Sequence, residues 1–266
     1  MKKIILAALI PLTFSCNNGS GSNDSTSTRP PEPETMNCVV QKSYLHDTSS
    51  FTEGLLMYNG SLYESTGIKG HSKLLKINLA TGKPEKEVKL DSAYFGEGIA
   101  ILRDTIYQLT YQSNIAFVYT LKDFKKVKEL PFSTESGEGW GMTTDGTYLI
   151  ADDGTSNIYY FEPSTFKVVK KITVTDAGTL SYNVNELEYI DGYLYANQWQ
   201  LPYILKIDPA SGQVVAKIDL TDVWNTIKHK DSHAEVLNGI AYDAASKKIY
   251  VTGKWWPELY EVQFSK

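Results

Sequence analysis

The chain has 266 residues, and 26 Lys and Arg against 31 Asp and Glu give it a net charge of −5. Because a nucleic-acid-binding surface concentrates cations to neutralise phosphates, and no segment here concentrates Lys and Arg in that way, we expect no nucleic-acid partner. The 42% of hydrophobic residues exclude disorder of the whole chain, and 18 Tyr and 19 Gly beside only 4 Met favour short strands and turns. The composition therefore predicts a mostly β protein with a sizeable core.

The N-terminus has a pattern typical of an export signal. The chain opens on the basic sequence Met1-Lys2-Lys3, continues with an apolar run at residues 4–14 that is too short to span a bilayer as a helix, and places Ser15 before Cys16. A small residue directly before cysteine is similar to the bacterial lipobox, in which the cysteine is lipidated and becomes the mature N-terminus. We therefore expect lipidation of Cys16. The alternative is an ordinary secretory signal in which Cys16 is incidental or pairs with Cys38.

A polar segment follows this signal. Residues 17–35 are mostly Asn, Ser, Gly, Thr and Pro, so they cannot bury enough apolar surface to fold. We divide the chain into a lipoprotein-type signal peptide (1–15), a disordered tether (16–36) and a folded domain (37–266). This organisation predicts a bacterial lipoprotein of the cell envelope that faces the periplasm or the cell surface and touches the membrane through its lipid anchor only.

Five segments of the folded domain repeat one pattern, in which apolar residues, a Gly or Asp turn and an aromatic-rich strand follow each other. The repeats begin at Gly54, Gly98, Gly141, Glu186 and Gly239, with spacings of 44, 43, 45 and 53 residues. A second hairpin follows the first in four of them, so that each holds four short strands. Four strands in about 44 residues is typical of a β-propeller blade, and we predict an all-β, five-bladed β-propeller.

The ends of the domain indicate how such a ring would close. The fifth repeat lacks one strand, and residues 38–45 supply an apolar strand that would complete it and remove an exposed sheet edge. The longer fourth spacing contains Val223, Trp224 and Ile227, whose separation predicts one short helix within residues 220–230. A two-sheet sandwich is the structural alternative, but it does not predict a repeat near 44 residues.

The openings of the repeats are rich in aromatic, acidic and amide side chains. In a propeller, the loops that enter the innermost strands surround the central channel and carry the functional groups. The motifs at these openings and at two strand ends are Phe51-Thr52-Glu53-Gly54-Leu55, Phe95-Gly96-Glu97-Gly98, Glu138-Gly139-Trp140-Gly141, Asn185-Glu186-Leu187-Glu188, Ala196-Asn197-Gln198-Trp199, Asn238-Gly239-Ile240-Ala241-Tyr242 and Thr252-Gly253-Lys254-Trp255-Trp256-Pro257.

Together these motifs resemble the plant and bacterial glutaminyl-peptide cyclotransferases, which are five-bladed propellers, and the resemblance covers residues 39–264. It implies an enzyme that converts the N-terminal glutamine of peptides or proteins to pyroglutamate and releases ammonia. We expect no cofactor and no metal, peptide or protein partners with an N-terminal glutamine, and a monomer.

The resemblance also implies the site residues. Glu97 would be the acid-base proton shuttle, and Asn185 and Lys254 would be catalytic by donating hydrogen bonds to the amide oxygen. The substrate-binding residues would be Phe51, Glu53, Phe95, Trp140 and Trp199.

Two positions depart from the family pattern. Glu53 stands where the family more often has Gln, and Tyr111 stands where Trp is common. A carboxyl group at position 53 would shift the proton affinity of Glu97 if the two groups lie within several ångström of each other.

The sequence also allows functions other than this enzyme activity. One is a non-catalytic propeller that binds peptides or envelope partners. Another is a metal-dependent propeller hydrolase, which is disfavoured because its channel would carry several ligand side chains. If Glu97 is not the shuttle, Glu53 and Glu186 are the next candidates. Asp152-Asp153-Gly154 is read as a turn, and the four histidines have no zinc-ligand spacing and are expected to face solvent.

Overall fold

The computed structural model describes residues 30–266. These residues form 22 strands and one helix, which confirms the predicted all-β class. The predicted signal peptide, Cys16 and residues 16–29 of the predicted tether lie outside the described residues. Within residues 30–266, no helix combines the length and the apolar character that crossing a membrane requires.

The strands are short and most are joined in chain order. They are β1 (Glu34–Leu45), β2 (Thr52–Tyr58), β3 (Ser61–Thr66), β4 (Lys73–Asn78), β5 (Lys83–Lys89), β6 (Gly96–Leu102), β7 (Thr105–Thr110), β8 (Ile115–Thr120), β9 (Lys126–Pro131), β10 (Met142–Thr144), β11 (Leu149–Asp152), β12 (Asn157–Phe161), β13 (Val168–Thr173), β14 (Thr175–Asp176), β15 (Thr179–Leu180), β16 (Val184–Ile190), β17 (Tyr193–Gln198), β18 (Tyr203–Ile207), β19 (Val214–Asp219), β20 (Leu237–Asp243), β21 (Lys248–Gly253) and β22 (Glu258–Ser265). The helix α1 (Thr221–Lys230) precedes β20.

Three sheets are four-stranded antiparallel meanders, β2 to β5, β6 to β9 and β10 to β13. A fourth sheet has eight strands in the order β16-β17-β18-β19-β1-β22-β21-β20. Polar residues form the turns between strands because their side chains bond to the backbone two residues ahead. The side-chain Oδ1 atoms of Asn78, Asp208 and Asp243 accept hydrogen bonds from the N–H groups of the residues two positions later, at 3.0, 3.0 and 3.1 Å.

The first strand of each repeat is almost wholly buried, and these strands contact one another in a cycle. β2 contacts β6, β6 contacts β10, β10 contacts β16, β16 contacts β20, and β20 contacts β2. The strands approach so closely that a Cβ atom at Gly98 would lie 2.4 Å from the backbone nitrogen of Met142. Because only glycine lacks a Cβ, the glycine of this repeat opening permits the close contact.

β1 joins the two halves of the eight-stranded sheet. It pairs in parallel with β19 through Glu34–Asn37, and it pairs antiparallel with β22 from the Asn37–Ser265 pair to the Leu45–Glu258 pair. β1 is therefore longer than the predicted strand and begins within the segment assigned to the tether, because residues 34–36 find a partner in β19.

The helix agrees with the sequence prediction, and one histidine does not. α1 lies where it was predicted and buries Val223 and Ile227 in the apolar cluster that includes Trp256. The expectation that every histidine faces solvent is wrong for His46, which is buried. Its ring nitrogens lie 2.7 Å from the carbonyl oxygen of Trp256 and 3.1 Å from Glu64, and these distant partners hold the ring in the interior.

Candidate active site

A cavity of about 190 Å³ opens among the starts of the first strands. Every predicted catalytic and substrate-binding residue lines it, and Tyr111 and Glu235 line it as well. The full lining is Phe51, Glu53, Phe95, Glu97, Tyr111, Trp140, Asn185, Trp199, Glu235 and Lys254. We call this cavity the site pocket.

β-bulges orient several polar side chains toward the site pocket. Four of the first strands have a register shift near their start, and the shifts contain Glu53 in β2, Glu97 in β6, Asn185 in β16 and Asn238 in β20. A bulge adds one residue to a strand, bends it and redirects a side chain. The repeated opening therefore turns a polar group out of the hydrogen-bonding ladder in four strands, which belong to three sheets.

Glu53 and Lys254 form a buried ion pair in the site pocket. The Lys254 Nζ atom donates to the Glu53 carboxylate at 2.8 Å, and Asn238 Nδ2 donates to the same carboxylate at 3.1 Å. The Lys254 ammonium also lies 4.4 Å from the centroid of the Phe51 ring. Burial raises the pKa of Glu53 to about 7, although the Lys254 ammonium acts in the opposite direction.

Glu97 is buried in the same pocket and has no hydrogen-bond partner among residues 30–266. Burial raises the pKa of Glu97 well above its usual range, the Glu53 carboxyl raises it further, and the Lys254 ammonium opposes this shift. A carboxyl group with raised proton affinity and no hydrogen-bond partner is suited to take up a proton and release it again.

Asn185 faces the site pocket from β16. Its side chain is buried, and its Oδ1 atom has no hydrogen-bond partner among the described residues. Because Oδ1 only accepts hydrogen bonds, this atom suits a donor on a bound substrate, whereas the Nδ2 atom of the same amide is the group able to donate to a substrate oxygen.

Aromatic rings form a continuous wall around the site pocket. Ring centroids are separated by 6.2 Å from Phe51 to Phe95, by 5.7 Å from Phe95 to Tyr111, by 6.5 Å from Tyr111 to Trp140 and by 5.7 Å from Trp140 to Trp199. Most of these contacts are edge-to-face, the arrangement that the ring quadrupoles favour. The wall gives the pocket an apolar side against which a substrate can pack.

Glu186 and Asp152 are buried carboxyl groups that lie outside the site pocket. Both oxygens of Glu186 accept backbone hydrogen bonds, from the N–H of Leu55 at 3.1 Å and from the N–H of Ile240 at 2.7 Å. Glu186, a reserve candidate for the shuttle, therefore has a structural role. Asp152 is the last residue of β11 and is fully buried, and the predicted turn follows it at Asp153 and Gly154, in the connection to β12.

Glu235 is the pocket residue that sequence reasoning missed. It is exposed in the segment between α1 and β20, and its N–H donates to the carbonyl oxygen of Lys254 at 2.9 Å. The available signal was its position directly before the opening of the fifth repeat. Tyr111 was noted only as a departure, and the structure places it within the aromatic wall. Within the described part of the chain, no group of three or more His, Cys, Asp or Glu side chains is arranged to hold a metal ion.

Comparison with known proteins identifies the family of this chain. The family model described as "Glutamine cyclotransferase" matches residues 11–264. A glutaminyl-peptide cyclotransferase from Arabidopsis thaliana is 40% identical over 229 residues, which are 85% of this chain and 71% of that protein. The crystal structure of Myxococcus xanthus glutaminyl cyclase superposes with a TM-score of 0.81 at 32% identity, covering 88% of this chain and 99% of that one. The chain therefore belongs to the glutamine cyclotransferase family.

Proposed function

We propose that this chain is a glutaminyl-peptide cyclotransferase that converts the N-terminal glutamine of peptides or proteins to pyroglutamate and releases ammonia, with Glu97 as the proton shuttle. The observation that carries the proposal is the buried Glu97 carboxyl, which has no hydrogen-bond partner within residues 30–266 and lies in a pocket with Asn185, Lys254 and an aromatic wall.

The size of the site pocket suits one glutaminyl residue. A cavity of about 150 Å³ is known to hold benzene. The five-membered lactam that forms from glutamine is of similar size, and the site pocket has about 190 Å³. Aromatic walls that hold the chain end in a folded conformation bring the amine close to the side-chain amide, which supplies much of the rate acceleration.

The reaction needs a nucleophile and one proton transfer. An α-amine has a pKa of about 7.7 to 8.0, so a neutral fraction exists at neutral pH and attacks the side-chain amide carbon. The ionised Glu97 takes the proton that the attacking nitrogen releases. It then gives this proton to the departing nitrogen as the carbon–nitrogen bond of the amide breaks, and ammonia leaves.

Asn185 and Lys254 support the negative charge that develops on the amide oxygen. Both side chains line the site pocket, and both are able to donate hydrogen bonds to an oxygen placed between them. The Glu53 carboxylate holds the Lys254 ammonium in place through the 2.8 Å ion pair. Specificity for an N-terminal residue follows from this reaction, because only a free α-amine is able to attack.

We further propose that the domain is a five-bladed β-propeller whose last blade is completed by β1. The cyclic contacts among β2, β6, β10, β16 and β20 support five blades. The pairing of β1 with β22 supports closure by the N-terminal strand. A single ring of this kind contains a complete site pocket, and we propose that the chain acts as a monomer.

The location is proposed from the N-terminal sequence. Residues 1–15 are proposed to be a lipoprotein-type signal peptide, and Cys16 is proposed to carry the lipid that anchors the domain to the cell envelope.

The direct test is turnover of a peptide with an N-terminal glutamine. Incubation with the purified domain should release one ammonia per peptide and lower the mass of the peptide by the mass of one ammonia. Both results are expected in the presence and in the absence of a chelator. The matched control is the same peptide with an acetylated α-amine, which has no nucleophile and should not react. Absence of ammonia from the free peptide would refute the proposed activity.

A further inference from the structure

A second cavity lies beside the site pocket and shares the Phe51 side chain with it. It has a volume of about 340 Å³. Its apolar lining consists of Phe51, Ile68, Leu75, Pro84 and Trp255. We call it the Ile68 cavity. Its polar lining includes Asp47, His71 and Lys73, so both signs of charge are present and neither dominates.

Two residues of this cavity have unusual backbone conformations. Ile68 has φ 76° and Trp255 has φ 59°. A positive φ is unfavourable for any residue with a side chain, and it is a marked outlier for a β-branched residue such as Ile68. Such strain persists only where the surroundings enforce it, and it concentrates at ligand-binding sites.

The surroundings of Ile68 do enforce this conformation. Its carbonyl oxygen accepts hydrogen bonds from the N–H of His71 at 2.9 Å and from the Ser72 hydroxyl at 3.0 Å. The same hydroxyl accepts the N–H of Gly96, the residue before Glu97, at 3.0 Å. Preceding Ile68, Gly67 packs so tightly that a Cβ atom there would lie 2.4 Å from the Phe95 ring. Residues 67–72 therefore contact the wall of the site pocket directly, at Phe95.

Trp255 is fixed in a similar way on the other side. Its N–H donates to the carbonyl oxygen of Ser50 at 2.8 Å, and its ring lies edge-to-face 4.9 Å from the Phe51 ring. Phe51 thus stands as a shared wall, with the Lys254 ammonium on its site-pocket face and the Trp255 ring against it.

A peptide bound by its first residue must continue past this wall. The next Cα atom is only about 3.8 Å from the first, so its side chain lies next to the site pocket. Two cavities adjoin the site pocket there. One is the Ile68 cavity. The other shares Glu235 with the site pocket and Trp255 with the Ile68 cavity, and most of its lining is polar, including Lys228, Asp231 and His233. An apolar side chain gains more free energy when it leaves water for the Ile68 cavity than when it enters the more polar cavity.

We propose that the Ile68 cavity binds the side chain of the residue that follows the N-terminal glutamine and favours a large apolar or aromatic side chain. The inference rests on the proposed function. A volume of about 340 Å³ exceeds the roughly 150 Å³ that holds benzene, so a phenyl group fits with room for its stem.

The test compares two amidated peptides, Gln-Phe-Ala and Gln-Gly-Ala, in the wild-type enzyme and in two variants. Ile68→Gly removes the apolar side chain at a position where glycine adopts the same φ without strain, so the fold is preserved. His233→Ala is the matched control, because His233 lines the polar cavity and is exposed.

In the wild-type enzyme, we expect kcat/KM for Gln-Phe-Ala to exceed that for Gln-Gly-Ala by about tenfold, as partial burial of a phenyl group predicts. Ile68→Gly should reduce this ratio several-fold, and His233→Ala should keep it. Equal kcat/KM for the two peptides in the wild-type enzyme, or a ratio that survives Ile68→Gly, overturns the inference.

Binding separates this inference from the proposed function. Tryptophan fluorescence reports the dissociation constants of the same two peptides even if neither releases ammonia, because Trp140, Trp199 and Trp255 line the two cavities. Tighter binding of Gln-Phe-Ala that disappears in Ile68→Gly supports the Ile68 cavity. Equal dissociation constants refute it, whatever the turnover.

Discussion

Two of the three carboxyl groups that line the site pocket, Glu53 and Glu97, are buried, and their partners assign them different tasks. Both oxygens of the Glu53 carboxylate accept hydrogen bonds, one from Lys254 and one from Asn238, so this group is held in a fixed position. Glu97 has no such partner among residues 30–266, and burial raises its pKa. Of the two, Glu97 is the group that is free to exchange a proton with a substrate.

Replacing Glu97 tests the shuttle. Glu97→Gln keeps the size of the side chain but cannot accept a proton, so kcat should fall by about 100-fold to 10,000-fold, the usual contribution of a general acid-base group. KM should change little where binding is at equilibrium, and the melting temperature should remain near that of the wild type. Steady-state kinetics with a glutaminyl peptide measure the effect. Near wild-type turnover would assign the shuttle to another group.

Replacing Glu53 tests its electrostatic effect on Glu97. The Glu53 carboxyl raises the pKa of Glu97, and the Lys254 ammonium lowers it. Glu53→Gln removes the first influence and leaves the Lys254 charge unpaired, so both changes lower the pKa of Glu97. If the ionised Glu97 accepts the first proton, activity should then persist to lower pH.

The measurement is the acidic limb of kcat/KM against pH, which should move to lower pH in Glu53→Gln. Glu87→Gln, a change at an exposed side chain outside the site pocket, is the control and should leave the limb in place. A limb that stays fixed, or that moves to higher pH, contradicts the coupling.

Sequence motifs identified the pocket residues, since the repeat openings place them in one loop layer. They did not identify the partners that act over long sequence distances. His46 is buried because its ring contacts Glu64 and Trp256. Local turn chemistry carries no information about these contacts, so the sequence predicts a surface position for His46.

Among the secondary-structure elements, hairpin patterns predicted the strands of the repeats and the spacing of apolar residues predicted the helix, whereas the register shifts could not be predicted. A bulge depends on where the partner strand places its hydrogen-bonding groups, which no single repeat reveals. The bulges around Glu53, Glu97 and Asn185 are nonetheless what turn these groups into the site pocket. The extension of β1 to Glu34 likewise depends on β19, a strand far along the chain.

The contribution of β1 can be measured with two truncated chains. A chain that begins at Glu34 keeps β1, and a chain that begins at His46 loses it together with its pairing to β22. Each lost backbone hydrogen bond contributes about 0.5–1.5 kcal/mol, so the shorter chain should melt roughly 10 °C lower or more.

The shorter chain should also aggregate, because β22 becomes an exposed edge strand. Differential scanning calorimetry and light scattering report the two effects. Similar melting of both truncated chains would show that β1 does not stabilise the ring.

For the whole molecule, Glu186 connects strands that belong to different repeats. It lies in β16, while the N–H groups that it accepts belong to Leu55 in β2 and Ile240 in β20. In Glu186→Gln the amide nitrogen cannot accept the second N–H, and one buried donor loses its partner. The free energy of unfolding should fall by about 1–3 kcal/mol.

Glu188→Gln is the matched control for this prediction. One Glu188 oxygen accepts the N–H of Tyr242, and the other contacts the Thr143 hydroxyl, which is able to reverse and accept from the amide. Denaturant unfolding should therefore show a larger loss for Glu186→Gln than for Glu188→Gln. Equal losses of unfolding free energy would show that Glu186 stabilises the domain no more than Glu188 does.

The proposed anchor predicts where the whole molecule is found in the cell. Cys16→Ser removes the thiol that would carry the lipid, so the protein should move from the membrane fraction to the soluble fraction. Fractionation and immunoblotting measure this change. Membrane association that is unaltered in Cys16→Ser would contradict lipid anchoring at this residue.

The pairing of β1 with β22 also determines when folding is able to finish. Tyr44 in β1 donates a hydrogen bond to Glu261 in β22 at 2.8 Å across 217 residues of sequence. Contacts between such distant segments form slowly, since a long loop must close first. A chain emerging from the ribosome therefore keeps this sheet incomplete until Glu258–Ser265 has been synthesised, and any product that stops earlier lacks the partner of β1.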